Sequence, residues 1–180
     1  MTRQMALGRL AAQDLNWCVR LNRLSRRRLC LRYFATVSRL GDGVFWYALI
    51  ALFPVLDRQI GVQAALHMLA ISGVALLLYR TLKRWSRRPR PLHRHPSSIV
   101  ASVAPLDEFS FPSGHTLHAV SFTIVALASA PWLAVVLVPF ALSVAASRVV
   151  LGLHYPSDVL AATVIGTALA TGSLRLVGVI

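Results

Sequence analysis

Apolar residues along this chain fall into five blocks, separated by short polar breaks and one long one. The blocks run over residues 44–56, 64–82, 112–130, 132–153 and 156–177. A helix needs about 20 apolar residues to cross a bilayer, and the last four blocks come close to that length or exceed it. The first is short; it recruits Leu40 and Gly41, with Trp46 and Tyr47 expected as anchors at the interface. Pro139 is expected to kink the fourth block, which membrane helices tolerate. Ala161, Ala162, Gly166, Ala168 and Ala170 in the fifth should allow helices to pack closely. Residues 83–111 form the long polar break, rich in Arg, Pro, His and Ser, and no internal repeat is present. The pattern predicts an all-α, polytopic transmembrane helix bundle of about five spans.

Residues 1–40 have a different character. Nine arginines are spaced among Leu7, Leu10, Leu15, Trp17, Val19, Leu21, Leu24 and Leu31. Such a mixture does not cross a bilayer, because each central charge costs about 2.5–3.5 kcal/mol even on the lenient insertion scale. It suits an amphipathic helix lying in the interface, with a solvated basic arm as the alternative. The expected organisation is therefore a basic amphipathic arm over 1–40 and a transmembrane domain over 41–180.

Composition sharpens this picture. The 180 residues are 56% hydrophobic, yet nineteen Lys and Arg face only six Asp and Glu, for a formal charge of +13. Apolar bulk with excess positive charge fits a bilayer with anionic headgroups as partner. A nucleic-acid binder shares such a charge but has no need of long apolar runs, so no nucleic-acid partner is expected. Cys18 and Cys30 stand twelve positions apart without a CxxC pair or further ligands, so they read as free thiols and not as a zinc site. Arg9, Asp14, Arg20 and Arg23 interrupt any signal-peptide core.

Three polar clusters carry candidate chemistry. After the second block come Lys83, Arg84, Arg87, Arg88 and Arg90, in a run ending Pro89-Arg90-Pro91. These cations crowd one another, which suits a bound phosphate as well as simple headgroup anchoring. The third block opens with Phe111-Pro112-Ser113-Gly114-His115. A helix start offers free N–H groups to an anion, Gly114 permits close approach, Ser113 adds a hydroxyl, and His115 can donate a proton near neutral pH. A merely capped helix with a satisfied histidine is the alternative. The third cluster is Ser147-Arg148, then His154-Tyr155-Pro156-Ser157-Asp158. An arginine inside an apolar block is a functional candidate. His154 and Asp158 meet across a turn, where a carboxylate can fix the imidazole tautomer and free the other nitrogen to attack. A structural His–Asp pair is the other reading.

Taken jointly, Lys83-x6-Arg90-Pro91, Pro112-Ser113-Gly114-His115 and Ser147-Arg148-x5-His154-x3-Asp158 resemble the signature of the PAP2 phosphatidic acid phosphatase family. The resemblance is close over about 83–158 and looser elsewhere. It implies that His154 is the nucleophile of a phosphohistidine intermediate, that Asp158 orients it, and that His115 is the general acid. It further implies a phosphate clamp of Lys83, Arg90 and Arg148 with Ser113 and Gly114, and neither metal nor cofactor. The implied activity is removal of phosphate from a monoester or diphosphate on a membrane lipid: phosphatidic acid, phosphatidylglycerol phosphate, a polyprenyl (di)phosphate or a lipid-linked sugar phosphate. Two alternatives are a vanadium haloperoxidase-like enzyme, whose vanadate resembles phosphate, and a non-enzymatic membrane anchor or scaffold. PAP2 membrane enzymes resemble six-span proteins, with one helix more ahead of the first motif than is visible here.

Other residues are weighed and set lower. His118 follows His115 at a possible ligand spacing but has no acidic or thiol partner. His93 and His95 read as solvated and His67 as structural, while Asp107 and Glu108 either steer substrate choice or balance the loop's arginines. The chain is expected in the cell (inner) membrane. The excess of arginine on one side places the active face in the cytoplasm, with the periplasm or exterior as the alternative.

Overall fold

In the computed structural model described here, residues 3–179 apart from 101, 102 and 106 are placed, with side chains from Gly8 onward. The elements are α1 (Arg3–Asn22), α2 (Arg28–Arg39), a π-helical stretch (Leu40–Val44), α3 (Phe45–Leu56), α4 (Ile60–Ser86), α5 (Pro91–Arg94), α6 (Gly114–Ser129), α7 (Ala134–Val150) and α8 (Pro156–Leu176). Four stretches are long and apolar enough to cross a membrane: Arg28–Leu56, Ile60–Ser86, Pro131–Val150 and Pro156–Leu176. α6, with 16 residues, is the fifth long apolar helix and runs about 24 Å at 1.5 Å per residue. The protein is a multi-pass membrane helix bundle.

α6 is the centre of the bundle. It packs against α4, α7 and α8, and Leu117, Ala119, Phe122, Val125 and Ala126 on it are buried. Its contact with α8 is made by small residues. Ala162, Gly166 and Ala170 form a buried stripe, Ser121 Oγ donates to the Gly166 carbonyl at 3.2 Å, and a Cβ on Gly166 would stand 2.9 Å from the Leu117 carbonyl oxygen. Without a hydrophobic driving force between helices in lipid, such close approach is what dispersion requires. Ala168 is exposed and takes no part in the stripe. Pro139 lies inside a continuous α7.

The first span differs from its sequence-based outline. Helix begins at Arg28, sixteen positions before the expected Val44, and continues through the π-helical stretch to Leu56. The arginines of α2 mask this start in a hydropathy reading: Arg32 and Arg39 are exposed, while Val37 and Ser38 face inward. The first span, kinked at Gly43, also turns Trp46 into the core. It is 2% exposed and packs against Phe45, Phe122 and Phe140, and so is not an interface anchor; Tyr47 is exposed.

α1 packs beneath the loops at one end of the bundle. Asn22 Nδ2 donates to the carbonyls of Val100 (3.1 Å) and Val150 (2.9 Å), and Asn22 Oδ1 accepts from Val100 N–H at 2.8 Å. Asp14 accepts from the Ser157 N–H and hydroxyl and from Arg88. Leu10 and Trp17 remain exposed.

At the opposite end α3 turns into α4 through Asp57, whose carboxylate accepts from the N–H groups of Gln59 and Ile60. Gly61 then lies so close to α3 that a Cβ would stand 1.9 Å from the Phe53 carbonyl oxygen. Gly61→Ala must therefore push α3 and α4 apart. A stability loss of about 1–3 kcal/mol is expected, as for other overpacked interiors, read as a lower Tm in detergent. An unchanged Tm would mean the two helices are not held this tightly.

Candidate active site

The three sequence clusters arrive at one place because helix direction alternates. α4 ends at Lys83 and Ser86, α6 starts at Gly114, α7 ends at Val150 and α8 starts at Pro156. The polar loop returns on itself, with Ser110 N–H donating to the Arg88 carbonyl at 2.8 Å. The α7–α8 turn closes with the N–H groups of Leu153 and His154 both on the Arg148 carbonyl at 3.0 Å. Gly152 in that turn has φ +73°, and a Cβ there would also strike Ile99. A cavity of about 620 Å³ results. Lys83, Arg90, Gly114, His115, Arg148 and His154 line it, with Asp42, Asp107, Glu108 and Tyr79.

His154 is 1% exposed and held by backbone. Its Nδ1 lies 2.6 Å from the Ser110 carbonyl oxygen, an acceptor, so Nδ1 carries the proton. Nε2 lies 3.2 Å from Arg90 Nη1, a donor, so it is the unprotonated nitrogen and accepts from Arg90. That is the tautomer a nucleophilic imidazole needs. Burial, then the charges of Arg90, Arg148 and Lys83, hold the imidazole well below its ordinary value, so it is neutral at physiological pH.

Asp158 is fully buried, with Oδ2 3.7 Å from His154 Nδ1, beyond hydrogen-bond reach. It accepts instead from Tyr155 N–H at 2.9 Å and Arg88 Nη1 at 2.6 Å. The direct contact expected from sequence is thus replaced by Ser110, and Asp158 acts on the turn that carries His154. Ser113 also departs from expectation. It is fully buried outside the cavity lining, and its Oγ accepts from Thr116 as the cap of α6. Helix α6 consequently begins at Gly114, with Pro112 ahead of the cap and not in the first turn.

Lys83, Arg90 and Arg148 are 6%, 1% and 2% exposed. Asp107 bridges two of them, at 2.5 Å from Lys83 Nζ and 2.7 Å from Arg90 Nη2. Burial alone would raise its carboxyl, but the hydrogen bonds and charges of Lys83 and Arg90 outweigh this and keep it below the usual carboxylate range. An incoming phosphate must share or displace this carboxylate. Arg148 Nη1 donates to Ser38 Oγ at 2.5 Å, while its Nε is buried with no hydrogen-bond partner among the described residues. His115 meets Asp42 through Nε2, and His118 Nδ1 turns back to the Gly114 carbonyl at 2.9 Å. His67 is tied to Ser173 at 2.9 Å and His93 is exposed. Among the described residues no three His, Cys, Asp or Glu gather in a way that could hold a metal ion.

Sequence reasoning missed Ser110, Arg88, Asp14 and Asp42. Ser110 acts through its carbonyl, which no residue type signals. Arg88 reads as one cation in a run. Asp14 and Asp42 lie far from the motifs, although an acid beside an apolar span, when the chain has only six, was a usable signal. Cys18, packed under His154, is buried, and burial with Asp14 and Asp158 nearby pushes its thiol up to about 12.

The description of the PAP2 superfamily matches residues 64–179, and the chain belongs to that superfamily, in its membrane-embedded lipid phosphatase branch. It is 41% identical over 138 residues to decaprenylphosphoryl-5-phosphoribose phosphatase of Mycobacterium tuberculosis, covering 72% of this chain and 71% of that protein. It is 26% identical over 143 residues to an undecaprenyl-diphosphatase of Sulfolobus acidocaldarius, covering 78% and 67%. In fold it resembles a transmembrane PAP2-type phosphatidylglycerolphosphate phosphatase from Bacillus subtilis (TM-score 0.75, 24% identity, 93% of this chain and 85% of that one). LpxE of Aquifex aeolicus is also similar (TM-score 0.73, 25% identity, 87% and 92%).

The neutral, buried His154 makes folding pH-dependent. Above its unfolded value of about 6.5 it is neutral in both states; below that, the unfolded chain takes up a proton that the folded site refuses. Stability should be full above about pH 6.5 and decline as pH falls toward the folded value. His154→Gln, which cannot titrate, should show a flatter fall in Tm between about pH 7 and about pH 5. Equal slopes would mean that His154 is already charged in the folded protein.

Proposed function

We propose that the protein hydrolyses a phosphate monoester or diphosphate on a membrane lipid through a phosphohistidine at His154. The observation that carries this reading is the shared cavity: a neutral imidazole whose Nε2 carries no proton, a second imidazole, and three buried cations face the same space. His154 Nε2 forms a bond to phosphorus as the bond from phosphorus to the leaving oxygen breaks. That oxygen takes a proton from His115. Water, giving its proton back to His115, then attacks the phosphorus; the P–N bond breaks, and inorganic phosphate and free His154 result.

Lys83, Arg90 and Arg148 bear the charge that builds on the phosphoryl oxygens, which is most of what phosphoryl transfer asks of a protein. The N–H groups at the start of α6, at Gly114, point at the same anion. Ser113 serves by capping that helix, and Asp158 by fixing the turn beneath His154 with Arg88. The lipids consistent with this reading are phosphatidic acid, phosphatidylglycerol phosphate, a polyprenyl (di)phosphate and a lipid-linked sugar phosphate. Wild-type protein treated with a radiolabelled lipid phosphate should trap a base-stable, acid-labile phosphoprotein. His154→Ala should lack both the adduct and turnover, vanadate should inhibit competitively, and turnover should survive EDTA. An adduct that persists in His154→Ala would remove His154 as nucleophile.

The same reading places α1 in the headgroup layer at the active face, its exposed Leu10 and Trp17 toward lipid. It assigns that face to the cytoplasm of a cell membrane. Nine arginines in residues 1–40, with Arg80, Lys83, Arg84, Arg87, Arg88, Arg90 and Arg94, lie toward it, against Arg58 and Arg175 at the other end. Positive flanks are retained on the cytoplasmic side. A cysteine replacing exposed Ser98, in a background without Cys18 and Cys30, should resist a membrane-impermeant thiol reagent in intact cells. Prompt labelling from outside would place the site on the exterior.

A further inference from the structure

The π-helical stretch Leu40–Val44 interrupts the first span at the depth of the cavity, and Asp42 is its acidic residue. Two glycines make the distortion possible. Gly41 is buried against Val144, where a Cβ would lie 3.0 Å from a methyl group. Gly43 has φ +143°, and a Cβ there would lie 2.7 Å from the Tyr47 ring. The kink leaves the Asp42 carboxylate in the cavity, where it meets His115 Nε2 and keeps 36% of its surface open. Asp107, equally open, is committed to the clamp cations Lys83 and Arg90, whereas Asp42 meets the histidine His115. Asp42 lies outside the 64–179 segment that matches the PAP2 description.

We infer that Asp42 reads the leaving group and selects a phosphomonoester whose leaving group carries hydroxyls, as in a glycerol or sugar, over a diphosphate. The inference rests on the lipid phosphatase reading and names the substrate class within it. In-line transfer puts the leaving oxygen opposite His154 and beside His115, the residue that protonates it. The carboxylate already on His115 is then a near neighbour of whatever that oxygen is attached to. A carboxylate only accepts hydrogen bonds. It receives a glycerol or sugar hydroxyl, and it repels the second phosphate that a diphosphate substrate would set in the same place. Arg80 and Arg84, exposed on α4, also line the cavity and suit a more distant phosphodiester linking the polyol to its lipid. The favoured substrate is therefore a terminal phosphate, a hydroxyl-bearing spacer and a phosphodiester-linked lipid, in that order.

The test compares kcat/KM for phosphatidylglycerol phosphate and undecaprenyl diphosphate in mixed detergent micelles. Wild-type protein should favour the monoester by at least roughly tenfold, a ratio that reports differential transition-state binding alone. Asp42→Asn should reduce that ratio about tenfold, chiefly by raising the diphosphate rate, while Asp42→Glu, which keeps the charge, should preserve the direction of preference. A vanadate-induced rise in Tm in both variants would show that the phosphate clamp is still formed. The proposal is overturned if wild-type protein prefers the diphosphate, which needs no variant to establish. It is also overturned if both rates fall in proportion in Asp42→Asn, since Asp42 would then only hold His115. Should wild-type protein release phosphate from neither lipid nor from any other, the phosphatase reading itself fails, an outcome distinct from a reversed or unchanged ratio.

Discussion

Three buried cations converging on one cavity are the constraint around which the rest of the molecule is arranged. Lys83, Arg90 and Arg148 come from α4, the polar loop and α7, and none is more than 6% exposed. Taking such charges out of water costs several kcal/mol each unless partners replace the lost hydration. Asp107 supplies part of that, bonded to Lys83 and Arg90, and Ser38 supplies one bond to Arg148. The Arg148 Nε stays unpartnered among the described residues. A site left short of negative charge in this way is electrostatically ready for a phosphoryl group, whose oxygens fill the places that water has vacated.

The same cations set the protonation state of His154. They stand near His154 and, with burial, keep it unprotonated. Backbone then chooses which nitrogen is unprotonated, because the Ser110 carbonyl accepts a hydrogen bond from Nδ1–H. Ser110 is itself placed by its hydrogen bonds to the Arg88–Pro89 segment, and Arg88 bridges Asp158 and Asp14. A chain of contacts therefore runs from the N-terminal helix through Arg88 to the turn that presents His154. α1 reaches the same turn twice more, through Cys18 and Asn22. An arm with the composition of a headgroup anchor is in this way also the support of the catalytic turn.

The helix bundle is tightly packed around α6 and distorted in its first span. α6 carries His115 and is gripped by small residues of α8, so its N-terminus is fixed against the clamp. The first span is the distorted one. Its π-helical stretch is the sort of local irregularity that membrane proteins keep only where the backbone borders a polar cavity.

The sequence by itself determined the class of fold and most of the polar residues that share the cavity. Blocks of apolar residues of near-membrane length leave a helix bundle as the only satisfied backbone, and motif spacing across alternating spans brings Lys83, Arg90, His115, Arg148 and His154 to one end. Side-chain chemistry is legible because histidine and arginine inside such a pattern have few structural uses. What only the tertiary structure decided is who touches whom. Asp158 stands four residues from His154 and looked like its partner, yet the loop delivers the Ser110 carbonyl closer, at 2.6 Å against 3.7 Å. Ser113 looked like a phosphate donor and is spent on the helix cap, since a buried N-terminus requires one. Trp46 looked like an interface anchor until the helix from Arg28 set its rotation. Asp14 and Asp42 carry no local motif at all. Their positions follow from how α1 and the π-helical stretch dock on helices distant in sequence, and periodicity and spacing along a chain describe only what is near in sequence.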